Sequence, residues 1–337
     1  MKSRAREHVR ADARYAPRVR IWRSLDDVPE DLPPTVLVIG NFDGVHLGHQ
    51  HVVRRAREIA DREGLQVVAA TFDPHPMAVL RPEHAPLSLS DIEGRSRLLH
   101  DAGVDDVYVI PFSREIAAWT PQEFIDRVVV GGLHATHVVV GANFRFGARA
   151  SGDVSTLVEA GREKGFEVEG IALDGGPQVW SSTYVRTCLA AGDVEGAAEA
   201  LGRPFSVVGH VVRGDLRGRE LGYPTANVPT RDTAAPADGV YAGWLRVLEG
   251  EAPALPAAIS VGTNPTFAGA RERRVEAYVI PETGGGQGGH DLELYDKRVE
   301  ISFVARIRGM VRFDGVEALV EEMGHDVERT REILGLR

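Results

Sequence analysis

Val36-Leu-Val-Ile39 runs directly into Gly40-Asn-Phe-Asp-Gly-Val-His-Leu-Gly-His-Gln50, and helical spacing follows at Val52, Arg55 and Ile59. Four apolar residues without polar interruption predict a strand buried on both faces, hence a parallel sheet with helices above and below it. A glycine-rich turn from such a strand into a helix lies at the sheet edge where ligands bind. The helix start there offers unpaired N–H groups to an anion. His46 and His49 are three residues apart with Gly48 between them, so both imidazoles can reach one phosphate while the glycine admits the backbone. Gly40, Phe42, Asp43 and Gly44 complete this candidate phosphate loop. Two surface histidines, or a zinc site shared with His75, are the competing readings, and the glutamate of a zinc-protease pattern is missing.

Outward from this stretch, β-branched runs at 66–72, 106–110, 137–141 and 167–172 alternate with helical segments. Ser90-Asp-Ile-Glu93 and Thr120-Pro-Gln-Glu123 have the form of capping boxes, the second with proline at the first helical position. Three further clusters fall at strand ends or helix starts: Phe72-Asp-Pro-His-Pro76 with Asp73 and His75, Val140 to Gly147 with Asn143, Phe144 and Arg145, and Ser181-Ser-Thr-Tyr-Val-Arg186. In the last of these, Ser182, Thr183 and Arg186 suit a phosphate that gains charge as a bond breaks. Beyond a helical stretch from Leu189 to Leu201 the character changes at Gly202-Arg-Pro-Phe205. Strand runs at 206–212, 240–248, 257–261, 274–280 and 299–307 then follow without intervening helices, which predicts an antiparallel barrel. A helix over 315–334, with Asp314 as its cap, closes the chain. The boundary is expected near residue 203, giving segments 21–203 and 204–337.

Composition narrows the chemistry. The 337 residues carry 39 Lys and Arg against 49 Asp and Glu, a net charge of −10, which argues against a nucleic-acid partner. Basic residues cluster only in residues 1–20, read as a mobile extension. Lysine occurs only at Lys2, Lys164 and Lys297, never after glycine, so no Walker A loop exists. The single cysteine, Cys188, and the lack of a long apolar run or signal-peptide core predict a cytoplasmic protein with no membrane partner. A homo-oligomer is left open.

In the second half, Gly209-His-Val-Val-Arg-Gly-Asp-Leu-Arg-Gly-Arg-Glu-Leu-Gly-Tyr-Pro-Thr-Ala-Asn227 alternates glycines with charges after a strand. Gly214, Gly218, Arg219, Gly222 and Pro224 shape a candidate phosphate loop, and Thr225 and Asn227 offer oxygen ligands suited to Mg²⁺. The run Gly284 to Gly289 reads as a hairpin tip.

Over roughly residues 21–337 the chain resembles the bacterial bifunctional riboflavin kinase/FAD synthetases. The resemblance rests on the His-x-Gly-His loop, on Pro224-Thr-Ala-Asn227, and on Asp238 to Gly243, Val261 to Phe267 and Val275-Glu-Ala-Tyr278 in the family's order. It implies a Rossmann-like α/β nucleotidyltransferase domain followed by an all-β, Greek-key-like six-stranded barrel with a C-terminal helix. It implies that the barrel phosphorylates riboflavin to FMN and the first domain adenylylates FMN to FAD, both with ATP and Mg²⁺. His46 and His49 would stabilise developing charge, Arg186 with Ser182 and Thr183 would hold the leaving pyrophosphate, and Asn143, Phe144 and Arg145 would lie by FMN and adenosine. Glu276 would be the general base on the riboflavin hydroxyl. Asp296 stands where the family carries glycine, so a positive φ is expected there. A kinase that has lost its synthetase activity and a flavin-binding regulator are the rival readings.

Overall fold

The computed structural model describes residues 19–172, 180–213, 221–250, 252–265, 271–281 and 294–336. The apolar run at its centre is strand β2 (Thr35–Ile39), every residue of which is buried. Around it lie β1 (Arg20–Trp22), β3 (Gln66–Asp73), β4 (Asp106–Pro111), β5 (Ala135–Gly141) and β6 (Glu167–Ile171). All are parallel, in the order β1-β4-β3-β2-β5-β6. Successive residues of β2 serve opposite layers: Leu37 and Ile39 pack with Phe124, Ile125 and Leu157, whereas Val36 and Val38 pack with Val52, Ala56, Ile59 and Leu99. The second layer is supplied by α1 (Leu47–Glu63) and α3 (Ile92–Ala102), which follows a short α2 (Pro76–Leu80). The first comes from α4 (Pro121–Phe124), its π-helical continuation Ile125–Val130, and α5 (Val154–Lys164).

Local signals hold with small displacements. Thr120 caps α4 as predicted, in a reciprocal box with Glu123, but the cap of α3 is Asp91 and not Ser90. The single helix expected over 189–201 is two, α6 (Ser182–Ala191) and α7 (Val194–Leu201). Gly192 ends the first at φ +77°, and the Asp193 side chain caps the second. Arg20, assigned to the basic extension, is the first residue of β1, and its guanidinium binds both oxygens of Asp106 at 2.8 and 2.6 Å. Residues 1–18 of that extension lie outside the described residues.

The second half forms one antiparallel sheet, β7 (Phe205–His210), β8 (Thr225–Pro229), β9 (Gly239–Val247), β10 (Leu255–Pro265), β11 (Arg271–Val279) and β12 (Arg298–Arg308). Its order is β7-β12-β9-β10-β11-β8, and the bridge Val212–Asn227 links its two edges. The sixth strand, β8, is the one that the strand runs in the sequence did not include. Helix α8 (Val316–Leu334) packs over β9, β10 and β12, with Arg308 gripping Asp326 at 2.9 and 2.7 Å. Its N-cap is Gly315, without a side-chain cap, so Asp314 does not have the role expected of it. The apolar faces of α6 and α7 join the barrel's core cluster, so packing runs across residue 203.

Candidate active sites

The turn from β2 to α1 is held open by backbone geometry that most residues avoid. Phe42 (φ +47°), Gly44 (φ +77°) and Val45 (φ +42°) are all left-handed. The Phe42 ring lies so close beneath Gly40 that a Cβ there would come within 3.2 Å of it. A Cβ at Gly48 would come within 3.1 Å of the His46 ring. Both glycines thereby make room for the rings that shape the turn. His46 caps α1, its Nδ1 accepting from the His49 N–H at 3.4 Å, and the two imidazoles stack with centroids 3.6 Å apart.

Since His46 Nδ1 accepts, its ring proton belongs on Nε2. Burial, with the positive charge of Arg203, pushes His46 down to about 4. Burial, with His46 and Arg95, pushes His49 well below the ordinary histidine value. The pair is therefore neutral at pH 7 and offers N–H donors without a fixed charge, an arrangement suited to charge that appears only in a transition state.

Beside the turn is a cavity of about 400 Å³ lined by Asn41, Asp43, His75, Met77, Pro86, Ser182, Thr183 and Arg186. Asp43 is its anchor. Its buried carboxylate accepts from the N–H groups of Leu89 and Ser90 at 2.9 and 3.2 Å, pairs with Arg186, and lies 3.6 Å from Arg95. Ser182 at the start of α6 donates to the Asp43 carbonyl at 2.8 Å, and Arg186 Nε donates to the Leu87 carbonyl at 2.8 Å. His75 caps α2, its Nδ1 accepting from Met77 N–H at 3.1 Å and its Nε2 lying 3.4 Å from the Asn41 amide. Burial lowers its pKa, against an opposing pull from Asp43.

Five of the sequence-predicted residues thus line one cavity: Asp43, His75, Ser182, Thr183 and Arg186. His46 and His49, with Gly40, Phe42, Gly44 and Gly48 of the same turn, are not among the lining, and neither are Asn143, Phe144, Arg145 and Asp73. Arg145 is exposed and pairs with Asp153 at 3.2 Å, Phe144 stacks on Phe146, and Asn143 and Asp73 are exposed at the ends of β5 and β3. Asn41 and Arg95 are additions. Arg95 is 4% exposed and donates to Thr71 Oγ1 and the Phe72 carbonyl at 3.2 and 3.1 Å. The signal for it was present: Ile92, Arg95, Ser96 and Leu99 share the buried face of α3 at helical spacing, a position arginine occupies only with a partner.

The second site is carried on strands. Along β11, Val275, Ala277 and Val279 enter the core, which turns Glu276 and Tyr278 to the other face. Asn227 of β8 is opposite Glu276 in the ladder, and Thr225 is opposite Tyr278. Asn227 Nδ2 donates to the Thr225 carbonyl and Oγ1 at 3.1 and 3.2 Å. That leaves the Asn227 side-chain oxygen and the Thr225 hydroxyl as neutral oxygen donors on the face that carries Glu276. Tyr223 meets Tyr278 ring to ring at 5.0 Å. Gly222, at φ +85°, and Pro224 precede β8, while Gly214, Gly218 and Arg219 lie outside the described residues. Asp296 has the expected positive φ, +62°. No cluster of three or more His, Cys, Asp or Glu could hold a metal among the described residues.

Comparison with known proteins divides the chain along the same line. The family model for FAD synthetase matches residues 28–182, and that for riboflavin kinase matches residues 201–334. The chain is 36% identical to a bifunctional riboflavin kinase/FMN adenylyltransferase of Escherichia coli K12, over 94% of this chain and 98% of the relative. Proteins of that description from Listeria monocytogenes (88% of this chain, 91% of the relative) and Bacillus subtilis (89% and 92%) are 35% and 34% identical. A solved structure described as a macrolide-efflux protein from Streptococcus pneumoniae superposes with a TM-score of 0.78 at 31% identity, over 93% of this chain and 99% of that one.

Proposed function

Since this chain belongs to the bifunctional riboflavin kinase/FMN adenylyltransferase family, making FMN from riboflavin and FAD from FMN with ATP, we propose that the two steps are divided between the two sites just described. Segment 21–203 carries adenylyl transfer and segment 204–337 carries the kinase step. In the first, an FMN phosphate oxygen attacks the α-phosphorus of ATP as the bond to pyrophosphate breaks. His46 and His49 donate N–H groups to the charge that builds on the transferring phosphate. Arg186, with Ser182 and Thr183, receives the departing pyrophosphate, and Asp43 holds Arg186 in place before the nucleotide arrives. Asn143, Phe144 and Arg145 belong to the region of FMN and adenosine, with Asp73 and His75 on the neighbouring strand end. No protein nucleophile is required, because such transfers depend on positioning and charge stabilisation.

In the second site Glu276 takes the proton of the riboflavin 5′-hydroxyl as that oxygen attacks the γ-phosphorus of ATP and the bond from the γ-phosphorus to the bridging oxygen breaks, releasing ADP. Thr225 and Asn227 are the residues that would hold Mg²⁺, since two neutral oxygens fit an ion that keeps waters and phosphates as its other ligands. When bound, the ion would neutralise phosphate charge during transfer. We place the protein in the cytoplasm, a reducing compartment that suits a chain with one buried free cysteine, Cys188. Among the described residues no helix is long and apolar enough to cross a membrane.

The observation that carries the adenylyltransferase assignment is the stacked, neutral His46–His49 pair beside a cavity holding Arg186. The test is chromatography of flavins after incubation with riboflavin, ATP and Mg²⁺, with an EDTA control. Native protein should yield FMN and then FAD, and the double variant His46→Ala/His49→Ala should stop at FMN. Equal loss of both products would refute separate sites.

A further inference from the structure

The turn that presents His46 is tied down from outside its own sheet. Arg203, two residues beyond α7 and two before β7, donates Nη2 to the Gly44 carbonyl at 2.7 Å. Its Nη1 donates to the carbonyls of Leu201 and Val45 at 3.2 and 3.4 Å. Gln50 Nε2 makes the same connection, donating to Val45 O and Leu201 O at 2.9 Å each. These bonds converge on the left-handed residues Gly44 and Val45, and a valine at φ +42° persists only where its surroundings enforce it. The anchor at the other end, Leu201, belongs to the apolar cluster of the barrel.

We propose that Arg203 is a positioning residue for adenylyl transfer: by clamping the Gly44–Val45 turn to the end of α7, it fixes the presentation of His46 and His49. The site of the first half is thereby tied down by the residue at the boundary between the two segments, in the connection from α7 to β7. This inference rests on the reading of the histidine pair as the adenylyl-transfer site. Arg203 also supplies charge. Burial lowers its pKa to about 10, so it remains a cation at neutral pH, drawn by Glu300 and Asp101. The positive charges that bear on the histidine pair are Arg203 on His46 and Arg95 on His49, and the two rings bear on each other through their stack. Gln50 supplies the tether alone.

The experiment uses the full chain with Arg203→Met, Arg203→Lys, Gln50→Met and, as reference, His46→Ala. FAD formation is measured from supplied FMN and ATP, and FMN formation from riboflavin in the same preparation reports on the fold. Arg203→Met should lower the adenylyltransferase kcat about 10²-fold, the order of loss expected for a misplaced catalytic group. KM for both substrates should stay within about threefold, because the clamp acts on the reacting geometry and not on binding. The acid limb of the profile should move to higher pH, since His46 loses the neighbouring cation that depresses it. Arg203→Lys, which keeps the charge and part of the tether, should recover at least about tenfold. Gln50→Met should lower kcat about tenfold with no movement of the acid limb.

Full adenylyltransferase activity in Arg203→Met, with His46→Ala inactive, overturns the proposal while sparing the site. Loss of both activities in parallel in Arg203→Met and Arg203→Lys also overturns it, as the mark of a merely structural residue. Retained activity in His46→Ala sinks the site reading and the inference with it. Should Arg203→Met fail to fold, Gln50→Met decides: full activity in that variant refutes the clamp.

Discussion

The two sites are built in opposite ways. In the first half the functional side chains project from strand ends and helix starts into a crevice crowded with charge: the buried Asp43 and Arg95 and the half-buried Arg186 within one network, two neutral histidines beside them, and Arg203 behind. In the second half Glu276 and Asn227 ride in mid-strand and Thr225 opens β8, all on the face opposite to the residues that fill the barrel core. A strand-borne site inherits its geometry from the ladder and needs little further support. A loop-borne site must be held by a second set of interactions, and those interactions make it sensitive to charge and pH.

The largest test of this division is Glu276→Ala. Loss of a general base should cost FMN formation about 10²–10⁴-fold, while FAD formation from supplied FMN proceeds at the native rate. Binding of riboflavin, followed by fluorescence, should be unchanged; a regulator without turnover would show no kinase rate to lose. Next in size is the reciprocal variant, His46→Ala/His49→Ala. Removal of donors to a developing charge should slow adenylyl transfer about 10²–10³-fold with FMN formation intact. If either variant damages both reactions, the halves are not separate in function.

The third prediction concerns stability. His46 has a folded-state pKa of about 4 against an ordinary 6.5, because burial and Arg203 disfavour its charged form. The unfolded chain therefore binds more protons between those two values, so this contribution to stability is complete above 6.5 and declines as pH falls toward 4. From pH 7 to pH 5 the native protein should lose about 2 kcal/mol through this residue. His46→Asn, which preserves an N-cap acceptor, should flatten that part of the denaturation-midpoint profile. An unchanged slope in the variant would mean that His46 does not couple protonation to folding.

The same contrast explains what was legible in the sequence. β2, the turn after it and the histidine pair were readable because a buried strand, a glycine-rich turn and a helix start are all local patterns. The Ser181 cap and Arg186 were readable for the same reason. β8 was not, since Thr225-Ala-Asn-Val-Pro229 offers only Ala226 and Val228 to the core and is flanked by prolines, which read as turn. It emerged only through the resemblance, as a signature and not as a strand. β1 is three residues long and adjoins a basic run that hides it. Gly192 and Asp193, a C-cap and an N-cap in succession, are the local signal for the break between α6 and α7. The partners of Asp43 and the clamp of Arg203 on Gly44 join positions far apart in the chain, and no local periodicity encodes such a meeting.

The smallest prediction addresses the one non-glycine residue of the strand-borne half that has a positive φ among the described residues. Asp296 adopts φ +62°, its N–H donates to the Val211 carbonyl at 2.9 Å, and its own carbonyl accepts from His210 Nδ1 at 3.1 Å. These bonds fix the conformation through the backbone, so a glycine can take the same path. Asp296→Gly relieves the crowding of Cβ against the following carbonyl, but it also gives the unfolded chain more freedom to lose. The two effects nearly cancel, and the expected net gain is about 0.5 kcal/mol, read as a small rise in denaturant midpoint. FMN formation should stay within about twofold, since the ladder that holds Glu276 beside Asn227 does not depend on this turn. A loss of tenfold or more on the kinase side alone would assign the Asp296 carboxylate to the kinase site and show that half to need loop support as well.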